Sequence, residues 1–223
     1  MATPEFKKRK DVLYAALRDL KKDFPFARSY KSSFSLKRDG FKLDFDDGTE
    51  LYVVVNRQVQ GMAPGEFLAS SAFAIYRGPV IEALRSVSSA RANAVGNPWV
   101  VGSSWYLVPE LRERQPDSQY KFLANVDAAA LAQQIIADIQ RFLFPPMIAF
   151  AEDYWEAARI VLEGEVEQIT LRDPFAIGLA LLKLSGRLDE AELLVARAAS
   201  MKEKFYDYSP KQGAALIARF RKA

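Results

Sequence analysis

The chain's 223 residues include neither histidine nor cysteine, which narrows its candidate acids and bases to carboxylates, lysines and tyrosines. Those two absences exclude disulfides, thiolate nucleophiles, Cys/His zinc sites, haem ligation through either residue, and every triad with a histidine base. Asp44, Asp46, Asp47 and Glu50 form the densest acidic cluster, a set of hard oxygens suited to Mg²⁺ or Ca²⁺. Gly48 sits among them and the EF-hand spacing is absent, so a hairpin turn is the simpler reading. A carboxylate-metal hydrolase built on Asp44, Asp46 and Asp47 stays open as an alternative. Glu152, Asp153 and Glu156, like Glu163, Glu165 and Glu167, fall at helix ends and read as solvated; Asp138 has no evident partner. Lys121, Tyr106 and Tyr120 could act as bases or nucleophiles if burial moved their pKa values, but no spacing singles one out. No Gly-rich phosphate loop occurs. Pro64, between Gly61 and Gly65, removes a donor that a phosphate cradle would use. The expectation is a protein that is not an enzyme and uses no cofactor or metal.

Binding residues are easier to nominate. Arg91, Asn93, Asn97 and Trp99 sit in or beside a stretch, 86–98, that is rich in Ser, Asn, Gly and Pro and has little periodicity. It reads as a loop, and Arg and Trp are common interface anchors. These four residues are the candidate partner-binding set, with the segment 86–104 as the interface. The competing reading makes Trp99 and Trp105 core aromatics of a sheet.

A second binding signal is charge. Residues 1–42 hold 12 Lys and Arg against 5 Asp and Glu, and the remainder holds 19 against 23. A basic end suits nucleic acid or another acidic partner. However, Lys7, Lys8, Lys10, Lys21 and Lys22 alternate with Asp11, Asp19 and Asp23, as on a solvated helix face. The expectation is at most weak, non-specific nucleic-acid binding.

The elements that must position these residues follow from periodicity. Residues 5–22 have helical spacing of Phe6, Leu13, Leu17 and Leu20, closed by Pro25. From Phe34 the period changes to two. Asp39-Gly40 and Asp46-Asp47-Gly48 punctuate Phe34–Leu36, Phe41–Phe45 and Leu51–Val55 into an antiparallel meander. Strands are expected at 67–76, 99–101, 105–108 and 120–124, with a turn at 115–118 and a short helix at 80–85. Beyond Asp127 the pattern is helical: 128–144, broken by Pro145-Pro146, then 147–162, 175–184, 188–201 and 212–221. Residues 180–191 resemble the helix–turn–helix junction of a single tetratricopeptide unit, with Gly186 at the turn and Ala191 at the close approach. The fold class is α+β: an N-terminal helix, an antiparallel sheet of about five to six strands and a helical C-terminal half. The expected division is 1–144 and 145–223.

With 50% hydrophobic and 26% charged residues, the composition is that of a globular protein with a sizeable core. The longest apolar run, 142–151, is short of the roughly 20 residues a bilayer span needs and contains two prolines. No apolar signal region follows the basic N-terminus. The expected location is the cytoplasm, with no membrane association.

The order of these segments resembles a family of bacterial domains of unknown function associated with immunity proteins of polymorphic-toxin systems. The residues carrying the resemblance are Phe34, Gly40-Phe41, Val53-Val55-Asn56-Arg57-Gln58, Phe67 to Ile75, Tyr120-Phe122 and Leu143-Phe144-Pro145. Tyr120 or Phe122 stands where the family usually carries tryptophan. The resemblance implies a protein partner, a cognate toxin whose active site is occluded, and supplies no catalytic residues.

Overall fold

The computed structural model describes residues 3–22, 35–37, 40–59, 61–95, 98–114, 119–163, 169–171, 173–200 and 210–223. Phe34, the Asp39 end of its turn, Asn97 and the turn at 115–118 lie outside the described residues. Helix α1 (Pro4–Lys22) precedes strands β1 (Ser35–Lys37), β2 (Gly40–Asp44), β3 (Thr49–Gln58) and β4 (Phe67–Arg77). Helices α2 (Pro79–Val87) and α3 (Ser89–Val95) lead to β5 (Val100–Ser103), α4 (Ser104–Leu107), α5 (Pro109–Glu113) and β6 (Tyr120–Phe122). Then come α6 (Ala128–Asp138), a π turn (Ile139–Leu143), α7 (Phe144–Glu152), α8 (Tyr154–Glu163) and β7 (Ile169–Leu171). The chain closes with α9 (Pro174–Leu184), α10 (Ala191–Ser200) and α11 (Pro210–Lys222). The class is α+β, as the periodicity indicates.

The strands form one sheet in the order β1-β2-β3-β4-β5-β7, and β6 pairs β4. The β1–β2 register sets Leu36 opposite Phe41, and the β4–β6 register sets Phe67 opposite Phe122, both antiparallel. Strand β7 was not foreseen, since three residues are too few for a period to show.

The chain forms two compact units. One comprises Met1–Asp46, Leu51–Phe73 and Gly102–Pro145; the other comprises Asp47–Glu50, Ala74–Val101 and Pro146–Ala223. In the first, α1 packs on α6 through Leu13, Ala16, Leu17 and Leu20. Phe67 stacks on Phe122 at 4.4 Å, with Phe6 edge-on at 5.5 Å. The second is organised around α9, whose residues from Pro174 to Leu182 are all buried. A helix apolar on every face must be surrounded, and α2, α8, α10 and α11 all pack against it. Gly178 lets it close on Leu194 and Val161, whose side chains would crowd a Cβ there.

Three expectations are corrected. Residues 86–95 are not a loop: α2 runs to Val87 and α3 follows after one residue. Ser88 makes this possible, its carbonyl and hydroxyl accepting from the N–H groups of Ala92 and Arg91 at the start of α3. The stretch at 105–108 is helix α4, not strand, because the Ser103 hydroxyl caps it by accepting from Trp105 N–H at 3.3 Å. Pro145-Pro146 does not break the helix. The π turn comes first, with Phe144 N–H bonded to the Ile139 carbonyl five residues back. That widening relaxes the crowding a proline ring imposes on the carbonyl four residues earlier. The break falls instead at Asp153, whose carboxylate accepts from Glu156 N–H at 3.0 Å and opens α8.

Candidate functional site

Trp99 is the anchor of the nominated segment. Only 1% of it is exposed, its indole N–H donates to the Arg77 carbonyl at 3.0 Å, and its ring meets Phe150 edge-on at 6.0 Å. Its backbone N–H also donates to the Ile75 carbonyl at 3.0 Å. Arg77 is a non-glycine residue with φ of 54°, followed by Gly78 at 81°, where a Cβ would overlap Thr49. This left-handed pair turns β4 into α2, and Trp99 grips the strained residue's carbonyl. Arg77 also reaches Glu50 at 3.4 Å. Trp99 is therefore a core residue that shapes the segment from inside and shows no face to a partner.

Arg91 has a structural tie as well. Its guanidinium donates to Asp173 Oδ2 at 2.9 Å, while Asp173 Oδ1 accepts from Ala176 N–H at 3.0 Å. One carboxylate thus caps α9 and pins α3. Burial pushes the Asp173 carboxyl above its ordinary value, opposed by the Ala176 N–H and the Arg91 charge. Nothing at Asp173-Pro174 in the sequence names Arg91 as its partner, although the pair is a legible helix start.

What remains outward is small on α3 and partly charged on α2. Ser89, Ala90, Asn93 and Ala94 are exposed on α3, and Glu82, Arg85 and Ser86 on α2. Beneath them Val80, Ile81, Leu84, Ala92 and Val95 are buried. Of the four nominated residues, Asn93 is on the surface, Arg91 is half-buried in its ion pair, Trp99 is internal and Asn97 lies outside the described residues. Helices α2 and α3 form a short elbow, held from below and smooth above.

The acidic hairpin is accounted for by its own turn. Asp47 Oδ1 accepts from Thr49 N–H at 2.8 Å, Asp47 Oδ2 accepts from Tyr154 O–H at 3.1 Å, and Gly48 has φ of 85°. Asp44 pairs with Lys42. Among the described residues, no group of three or more carboxylates is placed to hold a metal ion. Burial, with the Asp47 charge and hydrogen bond added, pushes the Tyr154 hydroxyl pKa up.

Asp138 does have a partner: Tyr120 O–H donates to its Oδ2 at 2.7 Å. Burial pushes both groups up, and the Tyr120 hydrogen bond draws Asp138 back. The phenol stays protonated and serves as a lock between β6 and α6. Strand and helix meet here across 18 residues of sequence, so no local motif could announce the pair. Trp105 is half-buried, with an indole N–H that is enclosed and meets no acceptor.

No helix among the described residues is long and apolar enough to cross a membrane. The chain matches no protein-family model, and neither a curated protein nor a solved structure is significantly similar to it.

Proposed function

We propose that the chain is a non-enzymatic binding protein, an immunity protein acting in the cytoplasm that neutralises a cognate toxin by covering its active site. The α2–α3 elbow is the interface in this reading. The supporting observation is its construction: Trp99 and the Arg91–Asp173 pair hold it from within, while Ser89, Ala90, Asn93 and Ala94 face out. An elbow fixed in this way loses little conformational entropy on docking, and small side chains let a partner's backbone approach closely. Asn93 supplies hydrogen bonds, the ion-paired Arg85 and Glu82 supply a polar rim, and complementarity rather than chemistry does the work.

The test is calorimetric titration with the product of the gene adjacent to the chain's own, and the absence of a toxin encoded there would count against the reading. Ala90→Arg and Asn93→Arg each place bulk on the outer face without entering the core. Each is expected to weaken the complex by about tenfold or more, equivalent to roughly 1.4 kcal/mol. Melting temperatures should barely move, since exposed substitutions usually stay within about ±0.5 kcal/mol. Unchanged affinity in both variants, with intact melts, rejects the elbow as the interface.

A further inference from the structure

On the first unit, a cavity of about 430 Å³ opens between the start of α1 and the β3–β4 connection. Phe6, Val59, Met62, Ala63 and Pro64 supply its apolar lining. Val59 is 54% exposed, a large aliphatic side chain left at the rim. The floor is firm: Arg9 donates to the Gly65 carbonyl and, at 3.4 Å, to that of Ala124, while Glu66 accepts from Ala124 N–H at 2.8 Å. A concavity of this size suits one or two apolar side chains.

Its surroundings are cationic. Lys7 and Lys8 are exposed on the first turns of α1, and Lys10 is half-buried one turn beyond Phe6. Lys10 lies 5.7 Å over the Tyr14 ring, and Arg57 lies 5.9 Å over Phe6 and 5.4 Å over Tyr14. Helix α1 also directs the positive end of its dipole towards this end. Lys7, Lys8, Arg9, Lys10 and Arg57 outnumber Glu5, Asp11 and Glu66, and the Glu66 carboxylate in the lining is engaged by Ala124 N–H. We propose that this cavity and its basic rim receive an acidic protein segment that inserts an apolar side chain beside Val59 and Met62.

Single-stranded nucleic acid fits less well. Base binding needs open aromatic faces, whereas those of Phe6 and Tyr14 are covered by Arg57 and Lys10 and the cavity wall is mostly aliphatic. The proposal is independent of the α2–α3 elbow, which belongs to the other unit.

The probe is a fluorescein-labelled peptide, Glu-Asp-Phe-Leu-Glu-Asp, read by anisotropy at low salt against the full chain. Comparison arms are its Ala-Ala version, its lysine-flanked version and an oligothymidylate. The acidic Phe-Leu peptide should bind, lose affinity as salt rises, and outcompete the oligothymidylate. The Ala-Ala version, Val59→Asp and Lys7→Glu, one helical turn beyond the lining Thr3, should each weaken binding by about fivefold or more, roughly 1 kcal/mol. Val59 and Lys7 are both exposed, so thermal melts should match the parent. No binding of the acidic peptide, equal binding of the Ala-Ala or lysine-flanked version, or no effect of either substitution would overturn the proposal. Tighter binding of the oligothymidylate would overturn it in favour of nucleic acid.

Discussion

Replacing Trp99 with alanine removes an indole that fills core volume and holds the Arg77 carbonyl in one stroke. Truncating a buried aromatic costs about 3–5 kcal/mol, and here an acceptor loses its donor as well. Trp99→Ala is therefore expected to lower the melting temperature steeply, whereas Asn93→Ala should leave it nearly unchanged; paired thermal melts decide. A Trp99→Ala protein with an unaltered melt would contradict its placement in the core. The sequence allowed both roles for this residue, because tryptophan is equally at home in a core and an interface. Arg91 was similarly ambiguous, since its partner Asp173 is 82 residues away.

At the scale of elements, local chemistry was legible wherever it was dense. The turn at Gly48 and the proline starts of α2 and α9 fall where residue type demands them. Errors fell where one residue type has two uses. Serines 88 and 89 look like loop composition yet connect two helices, and Pro145 looks like a breaker yet follows a π turn. Glycines separate the two kinds of constraint cleanly. Gly102 in β5 sits against the Phe73 ring, where a Cβ would overlap it, while Gly186 after α9 has φ of 73° and open space around it. Gly102→Ala should cost about 1–3 kcal/mol by overpacking and be partly rescued by Phe73→Leu. Gly186→Ala should cost about 1–2 kcal/mol through its backbone alone, with no rescue from any neighbour. Denaturant midpoints for the three variants test the contrast; equal behaviour of Gly102→Ala with and without Phe73→Leu would refute it.

For the molecule as a whole, the missing histidines matter most near neutrality. No side chain of ordinary pKa titrates between about pH 6 and 8, so any slope of stability that side chains give there must come from displaced groups. Among the described residues, burial raises the carboxyls of Asp138, Glu152 and Asp173. A carboxyl raised above its unfolded value binds its proton more tightly in the native state. Stability therefore rises as pH falls through the native pKa, and the gain is complete below the unfolded one. Tyr120→Phe deletes the hydrogen bond that draws Asp138 down, so Asp138 should titrate higher still and the rise should begin at a higher pH. Carboxyl ¹³C titration and urea midpoints across pH measure both effects. A lower Asp138 pKa in the variant would reverse the assignment.

The packing of α2 against α9 also sets a timetable for synthesis. A ribosome adding about 5–20 residues per second needs about 4–16 s to cover the 82 residues from Arg91 to Asp173. Throughout that interval Val80, Ile81 and Leu84 are made and α9 is not. The nascent chain thus carries an apolar helix face with its α9 cover still untranslated. A stop codon between α3 and α9 would leave that helix with α3 beside it and the α9 face uncovered for good.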